Sequence, residues 1–343
     1  MNEYKSFNDV EFDIENYEEV SVNKELIKSK VKSKLNKRKS KSKKILAASV
    51  SGLLLIGGVF VFCEPVYANM YKVMYDIKNA LGLESNLEDY KTVVGQSITK
   101  NGLTITLNEV VLDKDVLIVS TTYKFKEELE DGNITSFGDV YINGKSISSG
   151  GGGSGTIIDK NTVEEVFRYT LDEDVKKDDL DIKITYSNPI YFKNKKEHTI
   201  NGEWVFEFKT NRKDLELDTK SLKLNQSFEL GKDETITLKE YRTNALGPNI
   251  IYDRNIHNKD LVSYDIKLLG KDNLGNDVEF YLINANENKG KLTLSNLEEN
   301  LDKNATELKL TPYAAKQPNT SGKMSDDFKK IGDEFTINLN ELK

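Results

Sequence analysis

The sequence predicts a mainly β protein, with one N-terminal transmembrane helix followed by two tandem antiparallel β-sandwich-like domains outside the membrane. Two observations predict the helix: Ile45–Phe62 contains no charged residue, and eleven Lys and Arg residues precede it between positions 24 and 44. A third predicts the sheets. From Asp89 onward, short runs of alternating apolar and polar residues are separated by Gly, Asn and Asp, with no helical periodicity between them.

The apolar stretch is just long enough to cross a bilayer. Extended to Cys63, it lies near the lower limit for a hydrocarbon core about 30 Å thick, at a rise of about 1.5 Å per residue. Glu64 and Pro65 end it. A helix on the surface of a soluble core would carry a polar stripe, whereas this stretch has only two serines. We therefore predict a membrane-spanning helix at residues 45–63.

Charge sets the expected orientation. Residues 1–23 carry seven acids and one lysine, for −6, and residues 24–44 carry eleven bases and one acid, for +10. The whole 343-residue chain carries −7, so the remainder carries −11. Basic residues flank the cytoplasmic end of membrane helices, which places residues 1–44 in the cytoplasm and residues 64–343 outside. The basic run also suits anionic lipid head groups, and a nucleic-acid-binding arm is the alternative.

A secretory signal peptide is the competing interpretation of the same segment. Val66-Tyr67-Ala68 resembles a small-x-small cleavage site after an apolar stretch, so cleavage would follow Ala68. The 44 residues before the apolar stretch are far longer than the usual charged region of such a peptide. Cleavage there would separate the two sides of the membrane.

The cytoplasmic segment is too short to bury a core of its own. Ser21 or Asn23 can cap a helix, after which apolar residues recur every four positions among lysines. A helix of this kind can lay its apolar side into a partner's groove. We expect the partner contacts to be Val20, Ile27, Val31 and Leu35. The alternative is an inert tail that only sets topology.

Five segments follow from these patterns. They are a cytoplasmic segment with a short helix (1–44), the transmembrane helix (45–63), a juxtamembrane helix and linker (64–88), a first β-sandwich domain (89–210) and a second (211–343). The juxtamembrane helix is expected at Asn69–Leu81, ended by Gly82. A link at Asn211–Thr219 opens the second domain.

Three stretches of the β region give further structural predictions. Ser148–Gly155, with five glycines in eight residues, is expected to be a flexible surface loop. Asp272–Asp277 is expected to be a hairpin loop, with a calcium site as the alternative. The stretch from Ser227 to Glu240 loosely echoes the stretch from Ser97 to Glu109, which suggests two related domains.

The residue types argue against catalysis, metal binding and cofactors. His198 and His257 are the two histidines, and neither has a second His or Cys at ligand spacing. The Asp and Glu residues fall at turns or alternate strand positions, a pattern typical of a solvated face. Cys63 is the single cysteine, so no disulfide is expected outside the membrane. An acidic β region also disfavours direct binding of nucleic acid.

Several stretches together resemble a known family. They are the basic run Lys28–Lys44, the apolar helix to Phe62, the exit Glu64–Ala68, the Asn69–Gly82 helix, and the phrases Gly95–Ser97, Asn101–Ile105, Gly202–Phe208 and Leu308–Tyr313. They resemble Gram-positive single-pass membrane proteins with an extracytoplasmic domain of unknown function. Many of these proteins are described as anti-sigma factors of extracytoplasmic-function sigma factors.

The resemblance implies a membrane regulator whose cytoplasmic segment binds a cytosolic sigma factor. The β region would sense an envelope signal, through a ligand or a protease. The commonest anti-sigma cytoplasmic domain carries a His-x3-Cys-x2-Cys zinc motif, and residues 1–44 contain neither residue type. Any sigma-factor contact therefore falls to the short helix. The alternative function is a membrane-anchored surface binding or adhesion module with no role in transcription.

Overall fold

The computed structural model describes residues 75–83, 85–129, 134–146, 148–171, 179–193, 196–232, 234–257, 263–295, 301–318 and 325–343. The predicted partner-binding helix and the apolar stretch Ile45–Phe62 lie outside these residues. Within the described ranges, no helix combines the length and apolar character needed to span a bilayer. The described chain is mainly β, which confirms the predicted class.

The segment before the first strand contains a single short helix, α1 (Ile77–Ala80). The Asp76 side chain accepts a hydrogen bond from the backbone N–H of Asn79 at 2.8 Å and caps its start. Gly82 follows with φ +61°, the left-handed conformation that glycine adopts most readily at a helix end. The predicted helix Asn69–Leu81 is therefore described over its last turn, and Asn69–Met74 lie outside the described residues.

The first β unit runs from β1 to β12. Its strands are β1 (Lys91–Lys100), β2 (Leu103–Leu112), β3 (Val116–Phe125), β4 (Ile134–Thr135), β5 (Gly138–Ile142), β6 (Lys145–Ser146), β7 (Ser148–Asp159), β8 (Thr162–Leu171), β9 (Asp179–Ser187), β10 (Ile190–Lys193), β11 (Lys196–Thr199) and β12 (Glu203–Asn211). They form an antiparallel five-stranded sheet in the order β1-β2-β3-β8-β7, a four-stranded sheet in the order β12-β9-β5-β6, and a small sheet in the order β11-β10-β4.

The core of this unit lies between the five-stranded and four-stranded sheets. Leu107 and Tyr123 come from the first sheet, and Ile184 and Phe206 come from the second. Trp204 is fully buried among them, and its indole N–H donates to the Leu103 carbonyl at 3.3 Å. Along β9 and β12, buried residues alternate strictly with more exposed ones, so the apolar residues of these two strands lie on one face, as the sequence predicts.

The prediction of a flexible loop at Ser148–Gly155 is wrong, because these residues form most of strand β7. A Cβ on Gly151 would stand 2.2 Å from the Arg168 carbonyl oxygen and 2.5 Å from the Phe167 ring. A Cβ on Gly153 would stand 2.7 Å from the same ring. The glycines therefore permit close approach of β7 to β8, a use of glycine in strands that composition alone does not reveal.

The second β unit follows a short helix, α2 (Lys213–Leu217). Its strands are β13 (Lys220–Leu230), β14 (Glu234–Asn244), β15 (Gly247–Ile256), β16 (Tyr264–Asp272), β17 (Asp277–Ala285), β18 (Lys289–Leu294), β19 (Glu307–Lys316), β20 (Lys329–Lys330) and β21 (Phe335–Asn338), before a 3₁₀ turn at Leu339–Glu341.

All of these strands belong to one nine-stranded sheet, in the order β13-β14-β15-β18-β17-β16-β19-β20, with β21 also paired to β19. The sheet surrounds one apolar core that includes Tyr241, Tyr252 and Phe280. Beyond β21, the backbone of Lys343 exchanges hydrogen bonds of 3.0 and 3.3 Å with Ser221 on β13. The sequence predicts two stacked sheets here, which is wrong, because the structure has one sheet that curls back on itself.

The first hairpins of the two units match in detail. The β1–β2 pairing shifts register just before Gln96, and the β13–β14 pairing shifts just before Gln226. The next pairing of each unit also shifts register, between Leu107 and Glu109 where β2 pairs with β3 and between Leu238 and Glu240 where β14 pairs with β15. Register shifts at equivalent positions of both units give the weak sequence echo a structural counterpart.

Candidate functional site

The predicted contacts Val20, Ile27, Val31 and Leu35 lie outside the described residues. The structure does describe the place where the chain leaves the N-terminal region and enters the β units. We call this place the junction. It comprises the entry segment Tyr75–Lys91, the outer face of the five-stranded sheet, helix α2 and the β14–β15 turn.

An apolar cluster fills the junction. Ile77 of α1 is fully buried there, together with Leu87 of the entry segment. The remaining buried members are Val111, Ile118 and Val166 from the sheet, Leu215 from α2 and Leu246 from the β14–β15 turn. Burying one such side chain contributes about 1.5–3 kcal/mol. The cluster therefore fastens the entry segment to both β units at once.

The sequence carries a signal for this covered face. Strand β2 ends in Val110-Val111-Leu112, and Leu117-Ile118-Val119 follow the first residue of β3, so apolar residues stand at consecutive positions. All six side chains are buried. Continuous apolar runs, rather than alternating ones, are typical of strands that are covered on both faces.

Two buried carboxylates hold the backbone of the entry segment. Glu164 on β8 accepts a hydrogen bond of 2.7 Å from the Tyr75 N–H, and Glu109 on β2 lies 3.4 Å from the Ile77 N–H. Both side chains belong to the sheet, and their residues are less than a tenth exposed. N–H groups at the start of a helix lack partners within the helix, so these carboxylates satisfy them.

Lys91 completes this arrangement at the base of β1. Its ammonium group lies 2.9 Å from a Glu109 oxygen and 2.6 Å from a Glu88 oxygen. Burial by itself lowers the pKa of Lys91, but the hydrogen bonds to Glu88 and Glu109 outweigh it and raise the pKa. The lysine thus stays charged and offsets part of the cost of burying Glu109.

A second set of polar contacts joins the two β units. Asp113, in the β2–β3 loop, accepts hydrogen bonds from Arg242 and, at 3.1 Å, from Asn244, both on β14. Asp115, in the same loop, accepts 2.9 and 3.0 Å hydrogen bonds from Lys291 on β18. Burial raises the pKa of Asp115, and the nearby charge of Lys291 outweighs this and lowers it. One loop of the first unit is thus held from two strands of the second.

A further carboxyl lies on the opposite face of β8, inside the first unit. Glu165 accepts a 3.0 Å hydrogen bond from the hydroxyl of Tyr123, whose ring meets Tyr186 edge-on at 6.3 Å. Burial raises the pKa of Glu165 to about 7, and the hydrogen bond from Tyr123 lowers it only in part. The group therefore changes its charge near neutral pH.

The assignment of the acidic residues to a solvated face is wrong for several of them. Glu109, Asp113, Glu164 and Glu234 are buried. The available sequence signal was the pair Glu164-Glu165 within the otherwise strand-like run Thr162–Leu171, where one of two adjacent residues must face the core. Alternation alone does not show that the other face is covered as well.

The structure also describes two further residues that the sequence analysis considered, His198 and Asp272. His198 lies exposed on β11, with its ring stacked on Tyr191 at 5.2 Å. Asp272 accepts hydrogen bonds from the N–H groups of Leu274 and Asn276, as the hairpin-loop prediction requires. Within the described part of the chain, no three His, Cys, Asp or Glu side chains are grouped so as to hold a metal ion.

Comparisons with known proteins found a match to one family model and a similar fold among solved structures. A family model described as a domain of unknown function (DUF4179) matches residues 37–125. No curated protein matches the chain. A solved structure, the crystal structure of the conserved domain protein from Bacillus anthracis, is similar with a TM-score of 0.57 and 21% identity, over 75% of this chain and 94% of that one. The similarity at this identity concerns the fold alone.

Proposed function

We propose that the protein is a single-pass membrane regulator of the anti-sigma type. Residues 1–44 bind a cytosolic sigma factor through Val20, Ile27, Val31 and Leu35, and residues 45–63 cross the membrane. Two tandem β units outside the membrane sense an envelope signal. The charge pattern supports this topology, since +10 precedes the apolar stretch and −11 follows it.

The family match supports the proposal that the membrane segment and the start of the β region act as one unit. The matched residues 37–125 run from the end of the basic run, through the apolar stretch and the junction's entry segment, to the end of β3. A boundary placed in this way covers both the proposed membrane helix and the first hairpin. The matched family has no assigned function, so the sigma-factor role is drawn from the resemblance of the sequence.

The observation that carries the proposal is the junction. Backbone N–H groups of Tyr75 and Ile77 are held by carboxylates of the first unit, and Ile77 packs with Leu215 and Leu246 of the segment and turn beyond it. A displacement of one β unit against the other would change the contacts that hold the entry segment in place. That segment lies about a dozen residues beyond the proposed membrane helix, so the displacement would be passed toward the membrane.

A genetic experiment tests the proposal. The double variant Ile27→Asp/Val31→Asp, made in the full chain, puts charge on the apolar side of the proposed cytoplasmic helix. The matched control Ser29→Asp/Ser33→Asp puts the same charge on the opposite side of that helix. The expected result is that the first variant, but not the control, raises transcription of one sigma-factor regulon as much as deletion of the gene does. Unchanged transcription in both variants and in the deletion would favour the surface-binding alternative.

A further inference from the structure

Arg168 on β8 differs from the other arginines of the β units. Arg212, Arg242 and Arg254 each pair with a carboxylate, of Glu216, Asp113 and Glu234 respectively. The Arg168 residue is half-buried, and its Nε atom is buried without a hydrogen-bond partner. None of the ion pairs within the described ranges involves its guanidinium.

The surroundings of Arg168 are mostly apolar on the buried side. Its register partner on β3 is Ile118, and Val166 stands next to it on the same face of β8. Both belong to the apolar cluster of the junction. Burial lowers the pKa of Arg168, which is the cost of holding a cation among such side chains. The guanidinium keeps its charge nonetheless, because its ordinary pKa lies far above neutral pH.

The second β unit approaches β8 near this guanidinium. Asn284 on β17 donates to the Thr170 hydroxyl at 3.3 Å, which holds β17 against β8 two residues from Arg168. Tyr281, also on β17, is close enough to act on the charge of Arg168 and is 38% exposed. The cationic group therefore lies where the two units meet and where solvent has access.

On the neighbouring strand β7, the register partner of Arg168 is Gly152, which has no side chain. Nothing lies within 4 Å of the place where a Cβ on Gly152 would stand. Side chains that face each other across an antiparallel pair have Cβ atoms about 4.5–5.5 Å apart. The space that an acidic partner of Arg168 would fill is thus open to a ligand.

We propose that the guanidinium of Arg168, next to the open space at Gly152, binds a small oxyanion, a carboxylate or a phosphate. Such a group supplies the charged hydrogen-bond acceptor that the guanidinium lacks, and pairs of this kind are among the strongest hydrogen bonds in proteins. The region outside the membrane carries −11, so anions are not attracted to it in general and depend on this local cation. The site goes beyond the proposed function and does not require sigma-factor binding.

Thermal unfolding of the full chain in detergent tests the site. Sodium phosphate and sodium acetate are compared with sodium chloride at equal ionic strength, for the natural protein, Arg168→Gln and Lys309→Gln. Lys309 is an exposed lysine of the second unit, so its variant matches the charge change. Near saturation, one anion is expected to raise the Tm of the natural protein and of Lys309→Gln by about 5 °C more than that of Arg168→Gln. The preferred anion distinguishes carboxylate from phosphate.

A second pair of variants covers the case in which Arg168→Gln does not fold. Gly152→Glu places a carboxylate opposite Arg168, and Gly152→Gln is its uncharged control. Gly152→Glu is expected to unfold several degrees above Gly152→Gln, because only the carboxylate pairs with the guanidinium. Both variants are expected to lose the anion response, because either side chain fills the open space beside Arg168. Equal Tm values for the two glycine variants, or an anion response that is the same in all variants, would overturn the proposal.

Discussion

Glu165 gives the first β unit a pH dependence whose size follows from the structure. Its carboxyl is half-buried on the core-facing side of β8, with the Tyr123 hydroxyl as a hydrogen-bond donor. Burial raises its pKa from 4.5 to about 7. Because the folded state holds this proton more tightly than the unfolded chain, the group contributes its full stabilisation below pH 4.5. That contribution is lost as the pH rises through 7.

The magnitude follows from linkage between folding and proton binding. One pKa unit corresponds to about 1.4 kcal/mol, so a rise from 4.5 to about 7 corresponds to about 3.5 kcal/mol in all. Between pH 5 and pH 8, the free energy of unfolding should fall by about 2.5 kcal/mol on account of this group alone. The other groups that face it are the tyrosines Tyr123, Tyr169 and Tyr186, whose pKa values are all raised and which stay neutral over this range.

The assay is urea unfolding of the full chain, followed by the fluorescence of its single tryptophan. Trp204 is fully buried in the same core as Glu165's partner Tyr123. Glu165→Gln keeps an oxygen that accepts from Tyr123 and cannot ionise, so its stability should lack this part of the pH dependence. Glu207→Gln, at an exposed carboxylate of β12, is the matched control.

The expected result is a difference between the natural protein and Glu165→Gln that changes by about 2.5 kcal/mol from pH 5 to pH 8. The control should follow the natural protein at every pH. A constant difference across this range would refute the reasoning, because it would mean that Glu165 ionises in the folded protein much as it does in the unfolded chain.

Three further predictions concern packing and the junction. Gly151→Ala should lower the free energy of unfolding by about 1–3 kcal/mol in denaturant, because its Cβ meets a carbonyl oxygen. The control Gly152→Ala should change that free energy by less than about 0.5 kcal/mol. Equal effects of the two variants would contradict the description of β7. Trp204→Ala should cost about 3–5 kcal/mol by circular dichroism melting, and a loss under 1 kcal/mol would contradict its place in the core. Glu164→Ala should speed amide hydrogen exchange at Tyr75, since that N–H loses its acceptor at a cost of about 1–3 kcal/mol. Unchanged exchange at Tyr75 would contradict the docking of the entry segment.

Much of the strand pattern could be predicted because one face of each strand meets a core. Along β9, Leu180, Ile182, Ile184 and Tyr186 alternate with exposed or half-buried residues, and that alternation is visible in the sequence. The turn at Asn143-Gly144 was equally readable, since both residues adopt positive φ, at 50° and 79°. Local rules of this kind need no knowledge of what packs where.

The failures share one cause, which is contact between distant parts of the chain. Glycines 151 and 153 look like a flexible linker until the Phe167 ring and the carbonyls of β8 are seen to occupy the space beside them. Glu109 and Glu164 look solvated until the entry segment covers them. The unpaired state of Arg168 likewise depends on the absence of a side chain at Gly152, its partner in register but not in sequence.

The central claim is that residues 1–44 hold a sigma factor, and direct capture tests it most simply. The full chain, reconstituted in lipid nanodiscs, is incubated with each purified sigma factor of the source cell. The account predicts that one sigma factor binds, that Ile27→Asp/Val31→Asp loses it, and that Ser29→Asp/Ser33→Asp retains it. Binding of none, or equal binding to both variants, would contradict the account and leave an anchored β protein whose function lies outside the membrane.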